Sequence, residues 1–278
     1  MSYASLLVYV QDSIESDERV HLASALAARF NAKLIGVTGA MIESPMADPA
    51  GFISTSADIV NDEMALAESS AKAVEARFWN AVVVGHDSLE WDGTIQFPAD
   101  AVFHKSSTAD LIIVGRQNCS KPNILHSSLD PADVLMRCGR PVLVVPPGIS
   151  KIYADHIVVA WSNTREARRA VIDALPLLRE ASRVSVVEVI EGGGMDAATK
   201  RVNDVAEFLM LHDVDAKSHL IELIDGSASD EIIQYAEHQF ADLIVAGGYG
   251  HARAREWIFG GVTRELLTHC PKCCLISH

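Results

Sequence analysis

The chain is short of basic residues. Against 37 aspartates and glutamates it carries 23 lysines and arginines, a formal net charge of −14 over 278 residues. Binding a nucleic-acid backbone needs a basic footprint, so this balance argues against it. The same field disfavours an anionic membrane surface. Long apolar runs are missing too. None approaches the roughly 20 residues that a membrane helix needs. The first apolar run, Leu6 to Val10, gives way to acidic residues rather than to a cleavage site, unlike a secretory leader. Cysteine is sparse, five in all, and free thiols in a reducing compartment are expected. These absences point to a cytoplasmic protein with no membrane and no nucleic-acid partner. An anionic ligand would have to be held by local backbone donors against the overall field.

Several catalytic signatures are absent as well. There is no Walker A loop and no G-x-S-x-G nucleophile elbow. Gly248-Tyr249-Gly250-His251-Ala252-Arg253 lacks the third glycine of a dinucleotide fingerprint. No catalytic residue is assigned on this basis.

What is present is a core and a repeat. Hydrophobic residues make up 49% of the chain, enough for a sizeable interior. Apolar runs at 6–10, 33–40, 111–115 and 141–146 are followed by a second set at 156–161, 183–190, 216–223, 243–247 and 272–277. Most lack polar alternation, as strands covered on both faces should. Helix-period stretches at 17–30, 164–181 and 229–240 lie between them, which predicts a parallel α/β sheet with right-handed crossovers. "ADLIIVG" (109–115) returns as "ADLIVAG" (241–247), a shift of 132, and at that shift "VLMRCGRPVLVV" (134–145) meets "LLTHCPKCCLIS" (266–277). The chain therefore reads as two repeats, 1–148 and 154–278, divided near Pro146-Pro147-Gly148. The first is longer in its middle, where 41–58 reads as an extended loop. Their last strands, 141–145 and 272–276, are expected to pair with each other, because each would otherwise be an exposed apolar edge.

The richest local feature is "VAGGYGHARAREWIFGGVT" (245–263), which holds five of the seventeen glycines. Such clusters mark tight turns or a ligand lying against the main chain. Together with "VAWSNTREARRAV" (159–171) and "GGVTRELL" (260–267), this stretch resembles the universal stress protein family, and the whole chain resembles its tandem, two-domain members. The resemblance implies two doubly wound domains, each a five-stranded parallel sheet in the order 3-2-1-4-5. It also implies pairing of the repeats within the chain, with room for a homodimer.

Nucleotide-binding members carry G-x2-G-x9-G followed by Ser or Thr. This chain supplies Gly247, Gly250 and Gly260, then Gly261 in the hydroxyl position. The resemblance thus implies ATP or a related adenine nucleotide in the second repeat. Backbone donors of Gly261, Val262 and Thr263 would face the phosphates, with Thr263 partly replacing the lost hydroxyl and His251 close by. It sets the nucleoside against Ala160, Trp161, Ser162 and Val189. Where binding members have an aspartate this chain has Ser162, a weaker acceptor.

Alternatives stay open. The glycines can simply shape a strand–loop–helix connection, which makes the protein an interaction scaffold without nucleotide. Slow ATP hydrolysis has only His251 as a nearby base. Trp161 can pack at a strand end or stack on a base. Arg253 and Arg255 can neutralise phosphates or merely be solvated. In the first repeat Asp130-Pro131 reads as a helix N-cap, whose carboxylate would use the donors a phosphate needs, so that repeat is expected to be structural. Cys270, Cys273 and Cys274 read as buried thiols, with metal or redox use the other reading; Ser227 and Ser229 read as a helix start.

Overall fold

The computed structural model of the chain describes residues 2–40, 57–83, 88–116, 129–250 and 261–278. The first repeat runs β1 (Ser5–Tyr9), α1 (Ile14–Phe30), β2 (Lys33–Gly39), α2 (Ala57–Ala81), β3 (Leu89–Thr94), α3 (Pro98–Ser106), β4 (Leu111–Gly115), α4 (Pro131–Cys138) and β5 (Val142–Val145). The second runs β6 (His156–Ala160), α5 (Arg165–Leu178), β7 (Arg183–Ile190), α6 (Met195–Met210), β8 (Ala216–Glu222), α7 (Ala228–His238), β9 (Leu243–Gly247), α8 (Gly261–Thr268) and β10 (Cys273–Ser277). The long loop expected at 41–58 lies outside the described residues up to 56, and its last two residues begin α2 instead.

The ten strands among the described residues form one sheet in the order β3-β2-β1-β4-β5-β10-β9-β6-β7-β8. Within each repeat the pairs are parallel, and β5 meets β10 antiparallel, with Leu143 opposite Leu275. Each repeat therefore shows the 3-2-1-4-5 order of a doubly wound fold. The parallel strands are apolar on both sides because helices cover both faces. Leu6 and Val8 face the layer that contains α1, α2, α5 and α6, whereas Leu7 and Tyr9 face that of α3, α4, α7 and α8. The third strand of repeat one, β3, has no apolar run; it is a half-buried edge whose Glu90 pairs with Lys33 and Lys105.

Local chemistry sets the helix starts. Ser13, Thr164 and Ser227 cap α1, α5 and α7, each accepting from the backbone N–H three residues on at 3.1–3.2 Å. Asp110 Oδ2 accepts from the backbone N–H groups of Ala4 and Ser5, at 2.7 and 3.1 Å, and so fixes the entry to β1. Contacts between the repeats continue beyond the sheet. Tyr3 donates to the Asp173 carbonyl at 2.7 Å, Arg29 bonds Glu180 and the Tyr153 carbonyl, and Arg116 donates to the Cys270 carbonyl at 2.7 Å.

Candidate functional site

In open parallel sheets ligands bind beyond the carboxyl ends of the strands, where the strand order reverses. In the second repeat that place lies between β6 and β9. Ala160 ends β6; Trp161 follows it, both 8% exposed. Trp161 packs into the α5–α6 side of the core and donates its backbone N–H to Val187 at 2.7 Å, while its indole Nε1 is buried with no partner. Ser162 is exposed, its hydroxyl 3.5 Å from that of Thr164. Val189 is half-buried on β7 against the opposite layer, so Trp161 and Val189 belong to different faces of the sheet.

The glycines have three different neighbours. A side chain on Gly247 would meet the Ala167 nitrogen at 2.4 Å, because the first turn of α5 lies directly on the tip of β9. One on Gly248 would meet Leu135 of the first repeat at 2.7 Å. One on Gly250 would meet Glu166 Oε2 at 2.6 Å and Thr164 Oγ1 at 2.9 Å. Close approach, not unusual dihedral angles, therefore requires these three glycines. The left-handed residue of the turn is Tyr249, at φ 57°. Gly261 differs. It begins α8 with nothing among the described residues within 4 Å of where its side chain would be. Val262 is half-buried, and Thr263 is buried with its hydroxyl accepting from the Tyr249 N–H at 3.2 Å. That hydroxyl is already used to close the turn. His251 and Gly260, with Arg253 and Arg255, lie outside the described residues.

Two charged residues at these strand tips escaped the sequence reading. Glu166 is 3% exposed, in the first turn of α5. Its Oε1 accepts from Arg165 and its Oε2 is buried without a partner. Burial pushes this carboxyl up, but Arg165, the residue's own N–H and His278 together hold it below the usual carboxylate range. It is therefore an ionised group, favourably placed at a helix N-terminus. Arg19 fills the corresponding cleft of the first repeat. Its guanidinium donates to the Tyr9 carbonyl at 2.9 and 3.0 Å and to the Ser16 hydroxyl at 3.2 Å, and its Nη1 lies 2.3 Å from where a Gly115 side chain would begin. Burial lowers its pKa to about 10, still protonated at neutral pH. The β1 and β6 repeats are offset by 151, which sets Ala170 in the place of Arg19. The one available signal was a charge on an otherwise inward-facing helical stripe: Arg19 beside Val20 and Ala23, Glu166 beside Ala167 and Ala170.

The two helices that follow the β4 and β9 tips contrast in the same way. Asp130 caps α4, its carboxylate accepting from the Ala132 N–H at 2.9 Å. The first turn of α8 carries no acidic residue. Of the thiols, Cys273 points into one core layer and Cys270 and Cys274 into the other. Burial pushes Cys273 up to about 12. Hydrogen bonding from Cys274 lowers the Cys270 thiol, and bonding to Cys270 together with burial raises that of Cys274. Among the described residues no three His, Cys, Asp or Glu side chains converge as a metal site. A separate groove between α6 and β8, lined by Asn203, Glu207, Met210, Lys217 and His219, lies at the far edge of the sheet.

Fold and strand-tip geometry define a tandem, doubly wound α/β protein whose two strand-tip regions bury different charged side chains, Arg19 in the first repeat and Glu166 in the second. Residues 154–278 match the family model for universal stress proteins, and the first repeat shows the same strand order as the second. A universal stress protein from Archaeoglobus fulgidus DSM 4304 is 15% identical and aligns over 98% of this chain and 97% of its own, at TM-score 0.70. A functionally unknown protein from Pseudomonas aeruginosa PAO1, also 15% identical, aligns over 99% and 92%, at TM-score 0.60. A universal stress protein solved in complex with cAMP is 24% identical over 53% of this chain and 100% of its own, at TM-score 0.36. No curated protein sequence matches the chain. No described helix is long and apolar enough to cross a membrane.

Proposed function

We propose that the protein is a cytoplasmic stress-response regulator that binds ATP or a related adenine nucleotide once per chain, in the second repeat, and senses it rather than turning it over. One observation carries this reading: the first turn of α8 holds no acid and no described residue lies within 4 Å of where a Gly261 side chain would be, whereas the matching helix α4 is capped by Asp130. Free N–H groups at a helix start, approached by a residue without a side chain, suit a phosphate. Arg19 supports the asymmetry, since its guanidinium lies against Gly115 at the β4 tip of repeat one and its counterpart in repeat two is Ala170.

A second reading has its own support. Gly247, Gly248 and Gly250 are each required by packing alone, as they would be in an interaction scaffold that binds no nucleotide. Native mass spectrometry of the freshly purified chain, followed by calorimetry with ATP, separates the two. One nucleotide per chain is expected, with tighter binding in Ser162→Asp, which adds an acceptor for the nucleoside. No co-purified nucleotide and no heat would leave the scaffold.

A further inference from the structure

The second repeat buries a titratable ring at the end of the sheet opposite the strand tips. His156, the first residue of β6, is 3% exposed. Its Nδ1 lies 2.8 Å from the Gln239 carbonyl at the C-terminal end of α7, and its Nε2 lies 3.1 Å from the Ser185 hydroxyl on β7. A carbonyl only accepts, so Nδ1 carries the proton and Nε2 accepts from Ser185. A hydroxyl on an oriented imidazole would suit a nucleophile, but Ser185 is 2% exposed, out of a substrate's reach. Repeat one has no such ring. At the offset of 151 that relates β1 to β6, Ser5 stands for His156, and Ile35, opposite Leu7, stands for Ser185, opposite Val158.

Both ring nitrogens are committed, so a second proton finds no acceptor waiting. Placed on Nε2, it would have to be donated to Ser185 Oγ; the hydroxyl would turn, and its own proton would lose a buried partner. The charge would also be held out of water. The neighbouring charges divide. Asp242, just before β9, and Asp155, just before β6, favour the cation, while Arg183 beside it on β7 opposes it. On β8 His219 is half-buried and faces the same layer, its ring centroid 5.4 Å from that of Tyr235 on α7; burial, Lys217 and His156 all disfavour its cation. Burial prevails at His156 and holds its ring below the ordinary 6.5. The folded chain therefore binds this proton less readily than the unfolded chain. The stability involved is whole above about 6.5 and is lost as pH falls below that value.

We infer that His156 is an acid-sensitive clasp: its protonation loosens the C-terminal end of α7 from β6 and β7, and leaves the first repeat and the seam between the repeats as they are. Acid would then act on one helix of one repeat rather than on the whole fold.

Hydrogen exchange of the full chain at pH 7.5 and 5.5, corrected for intrinsic rates and read by peptide, tests this. Glu90, held below 4.5, keeps its charge at pH 5.5, so its protonation stays out of the comparison. One proton taken up over one pH unit limits the change to about tenfold. The opening of α7 is expected to rise at least threefold, and that of α3, the matching helix of repeat one, less than twofold. His156→Asn keeps an amide donor for the Gln239 carbonyl but has no titrating ring, and its α7 should lose more than half of the response. No rise in α7, or an equal rise in α3, overturns the inference on the parent alone. A folded His156→Asn chain that keeps the parent's full response also overturns it, because the acid would then be acting elsewhere.

Discussion

Leu143 pairs with Leu275 across the β5–β10 seam, and the two are also repeat equivalents, separated by the shift of 132 that relates the halves. A residue opposite its own counterpart marks the position of a pseudo-two-fold axis. Val142 then pairs with Ile276 and Val144 with Cys274 in the same symmetric register. A half-chain has the same seam with nothing on the other side. Residues 151–278 expressed alone should therefore dimerise through Leu275 against its copy, or aggregate, because an apolar edge strand without a partner invites pairing. Sedimentation showing a well-behaved monomeric half would count against this. In the full chain Leu275 is fully buried, and Leu275→Ala should cost about 2–5 kcal/mol in urea unfolding.

The glycines make a graded prediction. Gly115→Ala and Gly247→Ala place a methyl group 2.3 Å from the Arg19 guanidinium and 2.4 Å from the Ala167 backbone nitrogen. Overpacking of that kind costs about 1–3 kcal/mol, and the second should cost more, since a helix backbone yields less readily than a side chain. Gly261→Ala meets nothing within 4 Å among the described residues. It should leave stability unchanged or raise it by up to about 1 kcal/mol. Urea midpoints for the three variants give the order directly, and an equal loss at Gly261 would mean that its side-chain position is not free.

Much of this architecture could be read from the residues, and the gaps have physical causes. Strands covered on both faces announce themselves as unbroken apolar runs, which is why β1, β4, β6 and β9 were legible. The edge strand β3, "LEWDGT", was not, because only Leu89 and Trp91 turn to the core, while Glu90 between them pairs with Lys33 and Lys105. The glycine cluster was legible as a special segment, but not the separate duty of each glycine. Leu135 against Gly248 and Glu166 against Gly250 are tertiary neighbours 113 and 84 positions apart. Arg19 and Glu166 looked like ordinary surface charges until the helices were set on the sheet.

The β3 ion pairs predict a pH dependence. Hydrogen bonds from Lys105 and then Lys33 hold the Glu90 carboxyl below its ordinary 4.5 in the folded chain. The unfolded chain therefore takes up the proton at a higher pH than the folded one. The stabilisation is complete above about 4.5 and is lost as pH falls through the lower folded value. Glu90→Gln should be less stable than the parent at pH 7 and should lose less on further acidification. Thermal melts at pH 7, 5 and 3.5 would show the two curves converging; parallel curves would mean the bridges contribute nothing net.

The thiols predict protection. Cys270, Cys273 and Cys274 are at most 1% exposed, and buried thiols react slowly whatever their acidity. Maleimide labelling of the native chain at pH 8, followed by peptide mapping, should leave all three unmodified until urea is added. Rapid labelling of Cys270, whose thiol is the lowered one, would instead reveal an opening of the seam between the repeats.

The sharpest prediction sets stability against binding at a single position. Among the described residues nothing lies within 4 Å of where a Gly261 side chain would be, and the first turn of α8 holds no acid. Gly261→Asp should stabilise the fold by about 0.3–1 kcal/mol, because a carboxylate in a first helical turn meets the positive end of the helix dipole. The same carboxylate would stand where the nucleotide phosphates are proposed to lie. At about 4 Å and an effective dielectric near 20, each unit of like charge costs on the order of 4 kcal/mol. If screening halves that figure, ATP affinity still falls by more than tenfold. Urea unfolding and ATP calorimetry on the same preparation would report both signs. A variant that gains stability and loses ATP supports a phosphate at the α8 start. One that gains stability and keeps its ATP affinity would leave Gly261 a helix terminus and nothing more.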